Sequence, residues 1–267
     1  MTRSIHDAAL DALMLCDPAE KCTAVDMLRA DWLAGRLLAT AADDRLQPIA
    51  TPGRPPRPHL VEGRHVPRRG IGSREGHAAL LHAIAHIEFN AINLALDCVH
   101  RFRSRPAEFH ADWVSVAVEE ACHFGLVRDR LAALGFEYGD FPAHNGLWMM
   151  ACRTAPDLLA RMALVPRVLE ARGLDATPPI IARLKSIGDE ASVAVLEVIL
   201  HDEIGHVAIG DRWFRVVCAE RGLEPEATYV ALIEKFGAPR PHPPLHREAR
   251  RAAGFSEAEL DALAGTT

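Results

Sequence analysis

The chain has 267 residues and a formal net charge of −6, which argues against a general nucleic-acid binder. No run reaches the roughly 20 consecutive apolar residues that a membrane span needs, so we predict no span. Asp7 and Asp11 interrupt the apolar patch near the N-terminus, so we predict no secretory signal. The six cysteines form no C-x-x-C pair, a pattern typical of free thiols in a reducing compartment. We therefore expect a cytoplasmic protein.

The N-terminal part, residues 1–73, is predicted to hold two short helices and a proline-rich strap. The helices cover residues 4–16 and 19–39, and Asp17 followed by Pro18 marks the start of the second. Residues 47–73, the strap, contain six prolines and are rich in arginine, Arg68 included, so they exclude a helix over most of their length. We interpret the strap as a segment packed on the helices, with a basic lip for an anionic substrate as the alternative.

Four long helices are predicted within residues 74–235, and no alternating Val/Ile-rich run suggests a sheet. Their stops are assigned to a proline or glycine shortly after each helix, and their bounds are 74–102, 107–134, 147–172 and 178–221. The loop 135–146 can reach about 40 Å at ~3.3 Å per residue. It can therefore cross a bundle end to end, as in ferritin-like folds. The expected fold class is all-α, a ferritin-like four-helix bundle with additional N-terminal helices.

The remaining residues, 236–267, form a tail rich in proline and histidine, His242 included. A last short helix is predicted over residues 256–264. Ser256 is its N-cap, and Glu259 three residues later completes a capping box.

Glu-x-x-His occurs three times in the chain. The pair Glu62/His65 lies in the strap and cannot present both side chains from one helical face, so we set it aside. The other two pairs lie within the second and fourth long helices, where residues i and i+3 share a face. The other residues on each of these two faces are apolar or small. Each pair therefore points a carboxylate and an imidazole into the core, where buried charge requires compensation.

The first and third long helices are expected to add one carboxylate each. Glu88 lies in the centre of an apolar stripe on the first helix. Glu170 is the glutamate of the third helix, although Pro166 one turn earlier should kink that helix. Glu190 and Glu197 are the alternatives to Glu170, and both are expected to point away from the Glu-x-x-His face. The predicted metal ligands are Glu88, Glu120, His123, Glu170, Glu203 and His206.

These residue types suit two metal ions, with iron as the first choice and manganese as the second. Carboxylates can bridge two cations, and imidazole adds a neutral ligand that iron accepts. One glutamate from each of two helices plus Glu-x-x-His from each of the other two is the pattern of di-iron and di-manganese bundles. A buried polar network without metal is the alternative, which mutual repulsion of four carboxylates disfavours.

Several segments resemble the ferritin-like proteins of the DUF455 family, and the similarity extends over most of the chain. The segments are HAIAHIEFNAINLALD, EEACHFGLVRDRLAALGFEYGDFPAHNGLW, ALVPRVLEARGLD, HDEIGHVAIGDRWF and EARRAAGFSEAEL. The resemblance implies a ferritin-like bundle with metal ligands at the positions named above. A more distant similarity, carried by Glu170, Ala171 and Arg172, is to the di-iron tRNA hydroxylases that act on a prenylated adenosine. It leaves tRNA open as a substrate, which the acidic net charge disfavours.

The function expected from these observations is an oxygen-dependent oxidoreductase or hydroxylase that acts on an organic substrate. Its partners would be O2 and a small molecule, with a homodimer as an open alternative to a monomer. Two other functions stay open: a non-catalytic interaction protein that metals stabilise, and a ferroxidase or iron-handling protein. No residue beyond the ligands is assigned a catalytic role.

Overall fold

The computed structural model describes residues 3–39, 46–67, 69–241 and 243–265. Arg68 of the strap and His242 of the tail lie outside the described residues. The chain is all-α, as predicted, and its described strands are a parallel pair of two residues each, β1 (Arg3–Ser4) and β2 (Leu37–Leu38). It divides into two compact units, Met1–Cys152 and Arg153–Thr267. The three-part division at residues 74 and 236 stays a prediction.

The first unit is built on two long helices preceded by two shorter ones. Its helices are α1 (Ile5–Met14), α2 (Pro18–Leu33), a 3-10 turn (Gly63–His65), α3 (Arg74–Arg101) and α4 (Ala107–Ala133), and α5 (Gly146–Thr154) contains the limit between the units. Asp17 caps α2 as predicted, because its carboxylate accepts hydrogen bonds from the amides of Ala19 and Glu20. The observed ends of α3 and α4 agree with the predicted ends to within one residue.

Helix α3 is the apolar centre of the first unit. By length and composition it could cross a membrane, contrary to our expectation that no segment could, but 72% of its most apolar window is buried inside the protein. The core helix of a soluble protein has the same properties. Helix α3 packs along α4, and α1 packs on α3.

Lys21 joins three parts of the first unit. Its side chain is fully buried. The ammonium donates to the carbonyl oxygens of Leu13 (2.7 Å) and Gly53 (2.9 Å) and to the side-chain oxygen of Asn93. The end of α1, the strap and α3 are thereby held by one side chain.

The second unit contains the remaining helices. They are α6 (Leu158–Leu164), a π-helix (Val165–Glu170), α7 (Ala171–Ser186), α8 (Glu190–Glu220), α9 (Pro225–Phe236), α10 (Arg247–Ala252) and α11 (Glu257–Ala264). Helices α6 and α7 and the π-helix pack along α8. The predicted capping box of the last helix is present, with Ser256 and Glu259 exchanging their two hydrogen bonds.

The predicted third and fourth long helices are wrong in their limits. The third is interrupted after α5 and starts again as α6, where Asp157 accepts from the amide of Leu159. It then runs through Gly173 to Ser186, because a glycine within a helix costs only about 1 kcal/mol, which packing against α8 can outweigh. The fourth begins at Glu190, after Gly188 in the left-handed conformation (φ +76°). Helices α9 and α10 were missed.

Candidate metal centre

Helices α3 and α4 bring three of the predicted ligands together in the first unit. Nδ1 of His123 lies 3.4 Å from Oε2 of Glu88 and 3.7 Å from Oε2 of Glu120. The exposed fractions of Glu88, Glu120 and His123 are 3%, 0% and 1%. Residues three apart on a helix share a face, so Glu120 and His123 point the same way, and α3 supplies the second carboxylate.

The electrostatics of this group favour positive charge between the two carboxylates. Burial by itself lowers the pKa of His123, but hydrogen bonding and charge from Glu120 and Glu88 outweigh it and raise this pKa to about 11. Without metal, the imidazole is therefore protonated at neutral pH and offsets part of the negative charge. A metal ion bound at the same carboxylates would need the neutral imidazole and would release this proton.

The second unit holds the other Glu-x-x-His pair on α8. Nδ1 of His206 lies 3.9 Å from Oε1 of Glu203, and both residues are buried. The spacing that brings Glu120 next to His123 on α4 thus brings Glu203 next to His206 on α8.

In the first unit, the buried side chains of Glu88, Glu120 and His123 belong to a group that could hold a metal ion. In the second unit, His206 lies beside Glu203. Glu170 is not one of the residues in the group that could hold a metal ion. It is the half-buried last residue of the π-helix, so its role as a ligand stays a prediction. The kink expected at Pro166 takes the form of this π-helix.

The pair that was set aside and the two alternatives to Glu170 are all exposed. Glu62 and His65 lie on the surface of the strap, and Glu190 is exposed at the start of α8. Glu197 is exposed and forms an ion pair of 3.1 Å with Lys185. These positions do not offer buried ligands in place of Glu170.

Two histidines on α3 have structural partners in the loop after α4. Nε2 of His82 accepts a hydrogen bond from the amide of Gly139 (2.9 Å). Nε2 of His86 donates to the carbonyl of His144 (3.1 Å), so its Nδ1 accepts from the hydroxyl of Tyr138 (2.9 Å). Burial lowers the pKa of each of these histidines to about 4, which keeps both neutral. They hold the loop on α3.

Sequence reasoning missed a group of buried charges around the π-helix. Nε of Arg167 lies 2.9 Å from Oδ1 of Asp211 on α8, and Arg167 is fully buried. The partners of this arginine lie far away along the chain, so no local pattern reveals them. A lone arginine after Pro166 resembles an ordinary surface residue in the sequence.

Comparison with known proteins identifies the family. The model of the family described as "Protein of unknown function (DUF455)" matches residues 14–261. The chain belongs to the DUF455 family. This DUF455 protein is 44% identical over 259 residues to an uncharacterized protein of Haemophilus influenzae, and the alignment covers 94% of the chain and 90% of the relative. No solved structure matches.

The family resemblance indicated by the sequence segments is thereby confirmed. All six predicted ligands lie within the matched part of this DUF455 protein.

Proposed function

We propose that this protein binds two metal ions, iron in preference to manganese, within a ferritin-like arrangement of helices, and that it is an oxygen-dependent oxidoreductase acting on a small organic substrate. The observations that support the proposal are the buried group of Glu88, Glu120 and His123 in the first unit and the buried pair of Glu203 and His206 in the second. Buried carboxylates repel one another and are costly without cations. The proposed ligands are Glu88, Glu120, His123, Glu170, Glu203 and His206.

The charge of this ligand set suits two divalent ions. Four carboxylates carry four negative charges, which two divalent cations offset, and the two imidazoles bind as neutral ligands. The pattern is the one that carboxylate-bridged bundle proteins use. Iron has the redox chemistry that activation of dioxygen requires.

The protein's own residues would hold and shield such a centre. Glu120 and His206 are fully buried, so water has little access to their donor atoms. Long helices carry five of the six ligands, and rigid elements place ligands more accurately than loops do. His123 would give up its proton when metal binds, because a ligand imidazole must be neutral.

Elemental analysis of protein purified from its own host tests the metal part of this proposal. We expect about two iron or manganese ions per chain. Anaerobic titration of metal-free protein with Fe(II), followed by admission of air, tests the oxygen chemistry through O2 uptake and a change in the absorption spectrum. Protein that binds less than one ion per chain would contradict the metal site. Protein that binds two ions but leaves O2 unconsumed would contradict the oxidoreductase.

The deep burial of the ligands favours a second candidate, a protein whose metals only stabilise its fold. Structural metal sites have closed coordination, and Glu120 and His206 have no exposed surface. In that case removal of metal would lower the melting temperature strongly, and the iron-loaded protein would not react with O2. The same titration therefore separates the two candidates.

A further inference from the structure

Arg167 lies in the π-helix and is enclosed by aromatic rings of the second unit. Its guanidinium carbon is 4.1 Å from the ring centroid of Tyr229, 4.6 Å from that of Phe214 and 4.8 Å from that of Phe255. A guanidinium within about 6 Å of an aromatic face is attracted to it, more strongly when water is absent. Three rings thus hold one fully buried side chain.

Two carboxylates complete this enclosure. Asp211 on α8 pairs with Nε of Arg167, and Glu259 on α11 pairs with its Nη2. Arg215 links these carboxylates, at 2.8 Å from Asp211 and 3.2 Å from Glu259. Glu259 is fixed in turn by its capping box with Ser256. The position of the Arg167 guanidinium is therefore fixed by the two carboxylates and the three aromatic rings together.

The backbone of the π-helix is held as well. The hydroxyl of Tyr229 donates to the carbonyl oxygen of Arg167 (2.9 Å). Pro166 lies so close to α8 that a Cβ atom on Gly210 would be 2.3 Å from its ring. A π-helix is rare, occurs as short insertions and is frequent at functional sites.

Stability alone is a weak reason for this arrangement. Replacement of a buried ion pair by apolar residues of similar volume is often neutral or stabilising. A buried guanidinium with two carboxylates and three rings instead specifies one geometry for the segment that bears it. That segment ends at Glu170, three residues after Arg167, and Asp211 lies five residues after His206 on α8.

We propose that Arg167 is a positioning residue that holds the π-helix in the one conformation in which Glu170 is available as a metal ligand, and that α9 and α11 serve this purpose through Tyr229 and Glu259. The inference rests on the proposed function. It assigns a role to α9 and α11, which carry none of the six proposed ligands. Residues that orient metal ligands typically change metal affinity by about 10–100-fold when they are mutated.

The test uses two variants of the full chain, Arg167→Met and Tyr229→Phe. The first removes the charge and keeps the length of the side chain. The second removes only the hydroxyl that holds the backbone of Arg167, so it should fold even if the first does not. Arg247→Gln is the matched control, because Arg247 forms ion pairs with Glu257 and Asp261 in the same C-terminal part but lies outside the enclosure.

Metal-free protein is titrated with Co(II) and with anaerobic Fe(II), and the number of bound ions, their affinities and the Co(II) absorption spectrum are recorded. We expect Tyr229→Phe to retain the helical circular dichroism of the wild type, to bind one of two ions about 10–100-fold more weakly and to change the Co(II) spectrum. The control should match the wild type. Variants that bind two ions with unchanged affinity and spectrum would overturn the positioning role while the proposed function stood. Wild-type protein that binds no metal would overturn both.

Discussion

Pro166 and Gly210 lie against each other: a Cβ atom on Gly210 would be 2.3 Å from Cβ and Cγ of Pro166. Atoms at that separation clash, and the proline ring cannot rotate away. Only glycine at position 210 therefore lets the π-helix lie directly on α8. Position 210 is also one turn after His206, so this contact lies next to a predicted ligand.

Gly210→Ala should destabilise the protein by about 1–3 kcal/mol, since the added methyl group forces the π-helix away from α8. The free energy of unfolding from urea titration measures this change. Gly205→Ala on the same helix is the control, because nothing lies within 4 Å of a Cβ atom there. That exposed substitution should be neutral or stabilise by up to ~1 kcal/mol through helix propensity. Equal effects of the two substitutions would contradict the close contact.

Glu120→Gln should abolish binding of at least one metal ion, because it removes the charge of a fully buried carboxylate beside His123. Glu108→Gln, on the exposed first turn of α4, is the matched control and should bind metal like the wild type. Isothermal titration with Co(II) measures both. Full stoichiometry and affinity in Glu120→Gln would remove this residue from the ligand set.

Lys21 should make stability depend on pH. Burial lowers its pKa from 10.5 to about 7, although the nearby Cys16 and Cys22 act in the opposite direction. Between these two values the unfolded chain binds a proton that the folded chain does not, so stability increases as pH rises through this window. Lys21→Met removes that dependence.

The measurement is the free energy of unfolding of wild type and variant from pH 7 to ~9. We expect the wild type to gain stability relative to Lys21→Met as pH rises. Lys185→Met, at an exposed ion pair, should leave the slope unchanged. A wild-type slope equal to that of Lys21→Met would contradict the lowered pKa.

Asp97→Asn should destabilise the first unit by roughly 3–5 kcal/mol, because it leaves the guanidinium of Arg101 buried without its countercharge. The two side chains are 2.7 Å apart, and each has 1% of its surface exposed. Asp129→Asn breaks an exposed pair with Arg128 and should change stability by about 0–1 kcal/mol. Thermal unfolding measures both substitutions, and a small effect of Asp97→Asn would show that the buried pair contributes little.

Local signals in the sequence predicted local structure well. Asp17 and Pro18 start α2, and Ser256 and Glu259 form the predicted capping box, because each signal acts within one helical turn. The Glu-x-x-His spacing likewise identified the two pairs that the structure buries, because residues three apart lie within one helical turn.

Signals that depend on tertiary packing were misread. Gly135 and Gly222 end helices in the left-handed conformation, as predicted, but Gly173 lies inside α7 and Gly188 ends it. A glycine permits a helix to stop, and the packing around it decides whether it does. The enclosure of Arg167 was missed because Glu259 is 92 residues away along the chain.

The contacts of Lys21 bear on how the protein should be divided for experiments. A truncated chain that starts at Arg74, where the helices with predicted ligands begin, would lose this lysine and with it the partner of Asn93 on α3. It would also lose His6, whose ring nitrogen donates to the carbonyl of Val99 (2.8 Å). Such a fragment would expose the apolar face of α3 that α1 covers, and we expect it to aggregate. Metal loading should therefore be studied on the intact chain.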